Sequence, residues 1–309
     1  MAGMVVLGST GEAILLSDEE RREVLRVARQ AASPDKVLVA GTGIESAIET
    51  LRLTEYAAAL GYDVAMVRTP HYYKQQMKPE NMLAFYRTVA DRSPLPVIIY
   101  NFPQATGYDI PAEVVIALAE HPNLIGIKES GGDINKVKAM VAGTRHVQRT
   151  VPVTEIFEAV TGRMKSAPAA GANVVPASAL GQVALAAPPA PKTRTKDVGF
   201  QVMVGSAHLL QSMLNVGAVG AILAFACCAP TACFEIYTAW KENDVDLARE
   251  KQERIARASL RVVGELGVPG LKHALDFNGY YGGPPRLPLL PPTAEIRAEI
   301  ERLLENIRN

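Results

Sequence analysis

The sequence predicts an α/β chain: a (β/α)8 TIM barrel that lacks its first βα unit and carries a C-terminal helical extension. Three observations lead there. Seven short apolar runs recur along the chain: "VVL" from Val5, "KVLVA" from Lys36, "DVAMV" from Asp63, "PVIIY" from Pro96, "LIGIK" from Leu124, "QVMV" from Gln201 and "VGAIL" from Val219. The first five start 27 to 33 residues apart, the length of one strand plus one returning helix. The runs are also apolar on both faces, as expected of parallel strands covered by helices, and a unit repeated this often favours a barrel over an open sheet.

The elements follow in order. The first run begins almost at Met1, so a preceding strand and helix are expected to be missing. Ser17 with Glu20 forms a capping box, and Val24, Val27, Ala28 and Ala31 are expected to make the apolar face of the helix it opens. Pro111 suits the first turn of "AEVVIALAEH", where its missing N–H would have had no partner. The run at Gln201 starts 77 residues after the one at Leu124, far more than the repeat needs. The surplus, about 147–198, is rich in Ala and Pro and reads as a flexible insertion without regular structure. After Pro230 the pattern turns wholly helical. The expected organisation is therefore a barrel over 1–228 and C-terminal helices over 229–309.

Composition narrows the function. Lys plus Arg is 32 and Asp plus Glu is 32 in 309 residues, a balance with no general attraction for nucleic acid or an acidic membrane. No run of ~20 apolar residues and no basic-plus-apolar leader occurs, so a soluble cytoplasmic protein is expected. Cys227, Cys228 and Cys233 show no CxxC spacing and read as core thiols in a reducing compartment. The five histidines are scattered, so no metal is expected.

In a barrel the reactive groups sit at the C-terminal ends of the strands. Position alone selects "GSTGE" from Gly8, "TPHYYK" from Thr69, Tyr100-Asn101, Lys128-Glu129, Gly205-Ser206 and Ile222. A lysine there is either a Schiff-base nucleophile, its free amine favoured by desolvation, or one half of a rim salt bridge. Tyr100 is either a proton shuttle or a core tyrosine. Ser9 and Thr10, with backbone N–H groups nearby between Gly8 and Gly11, either hold a carboxylate or simply turn the chain into the next helix. Arg68 is a candidate partner for a second carboxylate and equally a rim ion pair. His71 and His208 read as loop surface, and Glu129 as a rim or helix-start residue.

The ordered segments "GSTGEAILLSDEER", "TPHYYK", "VIIYNFPQATG", "GIKES" and "GAVGAI" resemble the dihydrodipicolinate synthase/N-acetylneuraminate lyase family. Within it, "KESGGD" and "GVPGLKHALDFNGYYGGPPRLPL" are most similar to the 4-hydroxy-2-oxoglutarate aldolases. The resemblance implies a barrel with C-terminal helices, a homodimer or homotetramer, and no cofactor. It implies that Lys128 forms the Schiff base with a 2-oxo acid and that Tyr100 transfers protons. Ser9 and Thr10 would bind the carboxylate, with Ser9 also in the proton relay. Tyr73 would serve the relay of a neighbouring subunit, and Gly205 and Ile222 would line the pyruvate pocket. One departure bears on substrate: the synthases carry an arginine five residues after the strand-end tyrosine, and this chain has Ala105. Without that bidentate clamp, an aldolase cleaving a 4-hydroxy-2-oxo acid to pyruvate and an aldehyde such as glyoxylate is favoured. Synthase-like condensation, sugar-acid dehydration and a truncated inactive homologue remain the alternatives.

Overall fold

Seven parallel strands form one curled sheet in the computed structural model, which describes residues 2–154 and 193–307. They are β1 (Gly3–Val6), β2 (Val37–Gly41), β3 (Val64–Arg68), β4 (Val97–Asn101), β5 (Leu124–Glu129), β8 (Gln201–Val204) and β9 (Gly220–Ala221), and they neighbour one another in chain order. All seven expected runs are present. β1 starts at Gly3, two residues before its apolar run, and β9 keeps only two residues of ladder. Among the described residues no pairing joins β9 back to β1.

The segment about 147–198 departs from expectation at both ends. Arg149–Thr154 and Thr193–Val198 pair antiparallel as β6 and β7, in a two-stranded sheet of their own. Their Val and Thr content suits a strand, but each run needed its partner to become one, and that partner lies across the long insertion. The Ala/Pro-rich part expected to lack regular structure, 155–192, lies outside the described residues.

Between the parallel strands run helices α1 (Asp18–Ala31), α2 (Ala47–Ala59), α3 (Pro79–Arg92), α4 (Pro103–Thr106), α5 (Ala112–Ala119), α6 (Ile134–Gly143) and α7 (Leu210–Asn215). Both halves of the capping box at Ser17 and Glu20 are formed. The apolar face expected for α1 is corrected: Val24, Val27 and Ala31 are exposed, while Leu25 is buried, with Ala28 and Ala32 packed in the core. Two stripes of helical spacing overlap in this segment, and the one passing through Leu25 and Ala28 faces β1 and α2. Pro111 sits at the N-cap of α5, one residue outside its first turn. After Pro230 come α8 (Pro230–Lys241), α9 (Val245–Ser259), a π-helical turn (Leu260–Glu265), α10 (Gly267–Phe277) and α11 (Ala294–Leu304). Of the three cysteines, Cys228 and Cys233 are core thiols as expected, and burial holds both thiols protonated, that of Cys233 pushed up to about 12. Cys227 is exposed.

Strand alternation divides the apolar side chains between two layers. Leu38, Ala65, Val67, Val97, Ile99 and Ile127 pack outward against the helices. Val39, Met66, Ile98 and Tyr100 form the layer inside the curl, with Met203 and Ile222 packed against it. Burying each large aliphatic side chain is worth about 1.5–3 kcal/mol, so both layers hold the sheet to its curvature. The inner layer ends in chemistry at its C-terminal rim.

Candidate active site

The site is built on register. Arg68, Tyr100, Lys128 and Met203 are Cα partners across β3, β4, β5 and β8. Paired residues in a parallel sheet point to the same face, so Arg68 and Lys128 lie on the inner face that Tyr100 and Met203 help to fill. Lys128 is 8% exposed, and its Nζ lies 4.2 Å from the centroid of the Tyr100 ring. Among the described residues it makes no ion pair and no hydrogen bond, so the rim salt bridge is not what holds it. The π face of Tyr100 is the contact it makes instead.

Tyr100 is buried, and its hydroxyl shares a 3.1 Å hydrogen bond with the Ser9 hydroxyl from the end of β1. The loop that carries Ser9 is constrained. Leu7 and Glu12 on either side of it hold φ of 63° and 53°, left-handed conformations that bulky side chains rarely adopt. Gly41 allows this approach, because a Cβ there would stand 2.1 Å from the Leu7 carbonyl oxygen. Beyond the loop, Glu12 receives the Arg286 backbone N–H at 2.7 Å and pairs with Lys272 at 2.5 Å. Arg286 in turn grips Glu20 with both terminal nitrogens. The C-terminal helices and tail therefore anchor the loop bearing Ser9.

The residue after each inner side chain points outward into a second network. Asn101 donates from Nδ2 to both Glu129 oxygens, at 3.1 and 2.9 Å, and to Asp109 at 2.7 Å, while its Oδ1 accepts from the Ile110 N–H. Lys136 pairs with Glu129 at 3.2 Å and also with Asp109. Glu129 is thus a buried carboxylate satisfied from three sides, including the Gly131 N–H, rather than a rim residue. It fixes the ends of β4 and β5 from behind, directly beside Tyr100 and Lys128. Sequence position flagged Asn101 and Glu129 but not Lys136 or Asp109, which reach them from α6 and from the loop before α5.

A cavity of about 270 Å³ opens beside this cluster, lined in part by Ser9, Tyr100, Phe102, Ala105, Arg68 and His71. Lys128 is not among its lining residues; it lies under the Tyr100 ring. Ala105 does face this space, so the position expected to hold a synthase arginine is a cavity position. Arg68 proves to be an ion pair and a cavity residue at once. Its Nη1 lies 2.8 Å from Glu45 Oε1 and 2.8 Å from His71 Nδ1, and Glu45 Oε1 is 2.7 Å from the same nitrogen. Glu45 Oε2 accepts the backbone N–H groups of His71 and Tyr72, and these bonds keep its carboxyl below the usual range against the opposing effect of burial. Burial lowers the pKa of His71, which is half-buried in the cleft and not on open loop surface. The pairing depends on how the loops after β2 and β3 meet, which periodicity does not report.

The other expected residues are more dispersed. Thr10 follows Ser9 in the 3-10 turn Ser9–Gly11 and does not line the cavity. The Gly11 N–H, expected to be available to an anion, is taken by the Gly8 carbonyl. Gly205 follows β8, where a Cβ would lie 1.9 Å from Ser130 Oγ, so a larger residue would displace the Ser130 side chain. Ile222 follows β9 and packs against the inner layer. Tyr73 is 65% exposed, stacked edge-on against Tyr72, and does not line the cavity. His208 is half-buried and held below its ordinary pKa by burial. No group of three or more His, Cys, Asp or Glu is placed to hold a metal among the described residues.

The fold and this cluster define a class: a barrel-like parallel α/β protein presenting a lysine, a phenol and a hydroxyl at the C-terminal ends of its strands. The chain belongs to the dihydrodipicolinate synthetase family, whose sequence model matches residues 1–151 and 191–307. It is an enzyme of the aldolase and lyase type. The break in the match falls inside the insertion. A protein of Emericella nidulans named probable 4-hydroxy-2-oxoglutarate aldolase, mitochondrial, is 31% identical over 322 residues, covering 99% of this chain and 87% of that one. A 4-hydroxy-tetrahydrodipicolinate synthase of Exiguobacterium sp. is 28% identical over 305 residues, 99% of this chain and 86% of that one. Among solved structures, the chloride-inhibited dihydrodipicolinate synthase of Acinetobacter baumannii complexed with pyruvate matches with a TM-score of 0.78 at 26% identity, over 99% of this chain and 87% of that one. No helix among the described residues is long and apolar enough to cross a membrane.

Proposed function

We propose that this chain is a Schiff-base aldolase that cleaves a 4-hydroxy-2-oxo acid to pyruvate and an aldehyde such as glyoxylate. The observation that carries the reading is the contact chain Lys128, Tyr100, Ser9, set beside a cavity whose wall has Ala105 where a synthase would have arginine. Lys128 Nζ attacks the C2 ketone, and loss of water gives an iminium ion. The C3–C4 bond then breaks toward that electron sink, forming an enamine. The C4 hydroxyl proton passes to Tyr100 with Ser9 as relay, and the aldehyde leaves. Protonation of the enamine at C3 and hydrolysis of the imine release pyruvate and restore the free amine. Ser9 and Thr10 hold the 2-oxo acid carboxylate, and Gly205 and Ile222 border the space beside it. No cofactor is needed, because the imine itself is the electron sink.

Assembly as a homodimer or homotetramer belongs to the same reading: Tyr73 stands exposed, available to a neighbouring copy's relay. The three free cysteines support a reducing compartment, and we propose the cytoplasm. Two other readings each rest on an observation. Condensation in the manner of the synthases is supported by the likeness to the Exiguobacterium protein. An impaired homologue is supported by the sheet edges at β1 and β9, unpaired among the described residues.

The test is pyruvate release, followed with a coupled lactate dehydrogenase, from a panel of 4-hydroxy-2-oxo acids and a sugar acid. Pyruvate is expected from a short 4-hydroxy-2-oxo acid. A folded protein that releases none, yet consumes pyruvate when given an amino-aldehyde acid, is a synthase; one that does neither and also leaves the sugar acid undehydrated is the impaired homologue.

A further inference from the structure

We infer that Arg68 receives the C4 carboxylate of a glyoxylate-releasing substrate, in place of the arginine missing at position 105. The inference rests on the aldolase reading above and narrows its substrate class. Arg68 lies one strand from Tyr100 and two from Lys128 in the same registered row, so its Cα stands roughly 10 Å from that of Lys128. A short dicarboxylic acid held between two long side chains fits that spacing. The guanidinium lines the same cavity as Ser9, Tyr100 and Ala105.

Its hydrogen bonding is one-sided. Glu45, His71 and the Thr69 carbonyl all engage Nη1, at 2.8, 2.8 and 3.3 Å. Nε and Nη2 have no partner among the described residues. Those two nitrogens form the edge that binds a carboxylate bidentately, and orienting Nη1 with the half-buried Glu45 presents that edge in a fixed direction. Gly43 completes the arrangement, since a Cβ there would stand 2.4 Å from the Arg68 backbone nitrogen and 2.9 Å from its Cγ. A second cavity-lining guanidinium, Arg21, donates from Nε to the Ala13 carbonyl and adds positive charge to the same wall. A neutral or hydroxylated tail would leave the free edge of Arg68 desolvated and unpaired, which disfavours such substrates.

The experiment compares kcat/KM for two 4-hydroxy-2-oxo acids that differ only in the group on C4, a carboxylate in one and a methyl in the other, in the wild type, Arg68→Gln and Arg68→Lys. Circular dichroism and thermal melting confirm that each variant is folded. The wild type is expected to prefer the diacid, and Arg68→Gln to lower that preference ratio by roughly 10- to 100-fold, through KM more than kcat. Arg68→Lys keeps the charge but not the fork and is expected to fall between them. A wild type without preference for the diacid, or a glutamine variant that changes both substrates by the same factor, overturns the inference while leaving the aldolase reading intact. Failure of the wild type to trap pyruvate on Lys128 under borohydride removes the aldolase reading and this one together.

Discussion

The hydroxyls of Ser9 and Tyr100, 91 residues apart in the chain, meet at 3.1 Å, and the Tyr100 ring that carries one of them lies over the amine of Lys128. β1 and β4 deliver them to one point, and no other hydrogen bond engages the phenol oxygen among the described residues. Replacing Tyr100 by Phe therefore removes one polar atom and leaves the ring packed over Lys128. Turnover is expected to fall roughly 10²–10⁴-fold, the usual weight of a positioned proton-transfer group, with the melting temperature nearly unchanged. Steady-state kinetics beside a thermal melt checks this; a full-rate phenylalanine variant would remove Tyr100 from the mechanism.

The network behind the strands should matter to stability. Asn101→Ala deprives the buried Glu129 carboxylate of both Nδ2 contacts and leaves the Ile110 N–H without its acceptor. Leaving buried polar groups unsatisfied costs about 1–3 kcal/mol, more where a charge is involved. Urea denaturation of the variant should show a lower midpoint with an unchanged slope. A midpoint equal to that of the wild type would mean that Glu129 is held by Lys136 and Gly131 alone.

Much of this site was legible in the sequence, and the reasons for success and failure differ. Lys128 and Tyr100 stood out because each closes an apolar run, and the strand register made them neighbours as expected. The pairs β6 and β7 did not stand out, since neither run is apolar enough to declare itself and their pairing spans the insertion. The buried face of α1 lies one residue from the one its sequence suggests, because overlapping stripes carry similar hydrophobicity and only packing against β1 and α2 chooses between them. Arg68 was visible as a charge at a strand end. Its one-sided pairing was not, because Glu45 and His71 reach it from separate loops, and loop geometry leaves no period in the sequence.

The anchor between the C-terminal tail and the Ser9 loop should respond to acid. Hydrogen bonds from Arg286 hold the Glu20 carboxyl down to about 2, from an ordinary value of 4.5. The unfolded chain thus binds the proton more readily, so this contact stabilises the fold fully above pH ~4.5 and its contribution fades as pH falls toward ~2. The pair is surface-exposed, so the effect is modest and shrinks in high salt. Glu20→Gln should melt below the wild type near pH 7, and the gap should narrow below pH ~4.5 and close near pH ~2. A gap that stays constant with pH would place the contribution of Glu20 in its neutral capping contact with Ser17.

The most direct measurement incubates the protein with pyruvate, reduces with borohydride and locates the adduct by peptide mass spectrometry. A single reduced pyruvyl adduct is expected on Lys128 and none in Lys128→Ala. An unmodified Lys128, or an adduct spread over exposed lysines while Lys128 stays free, would contradict it.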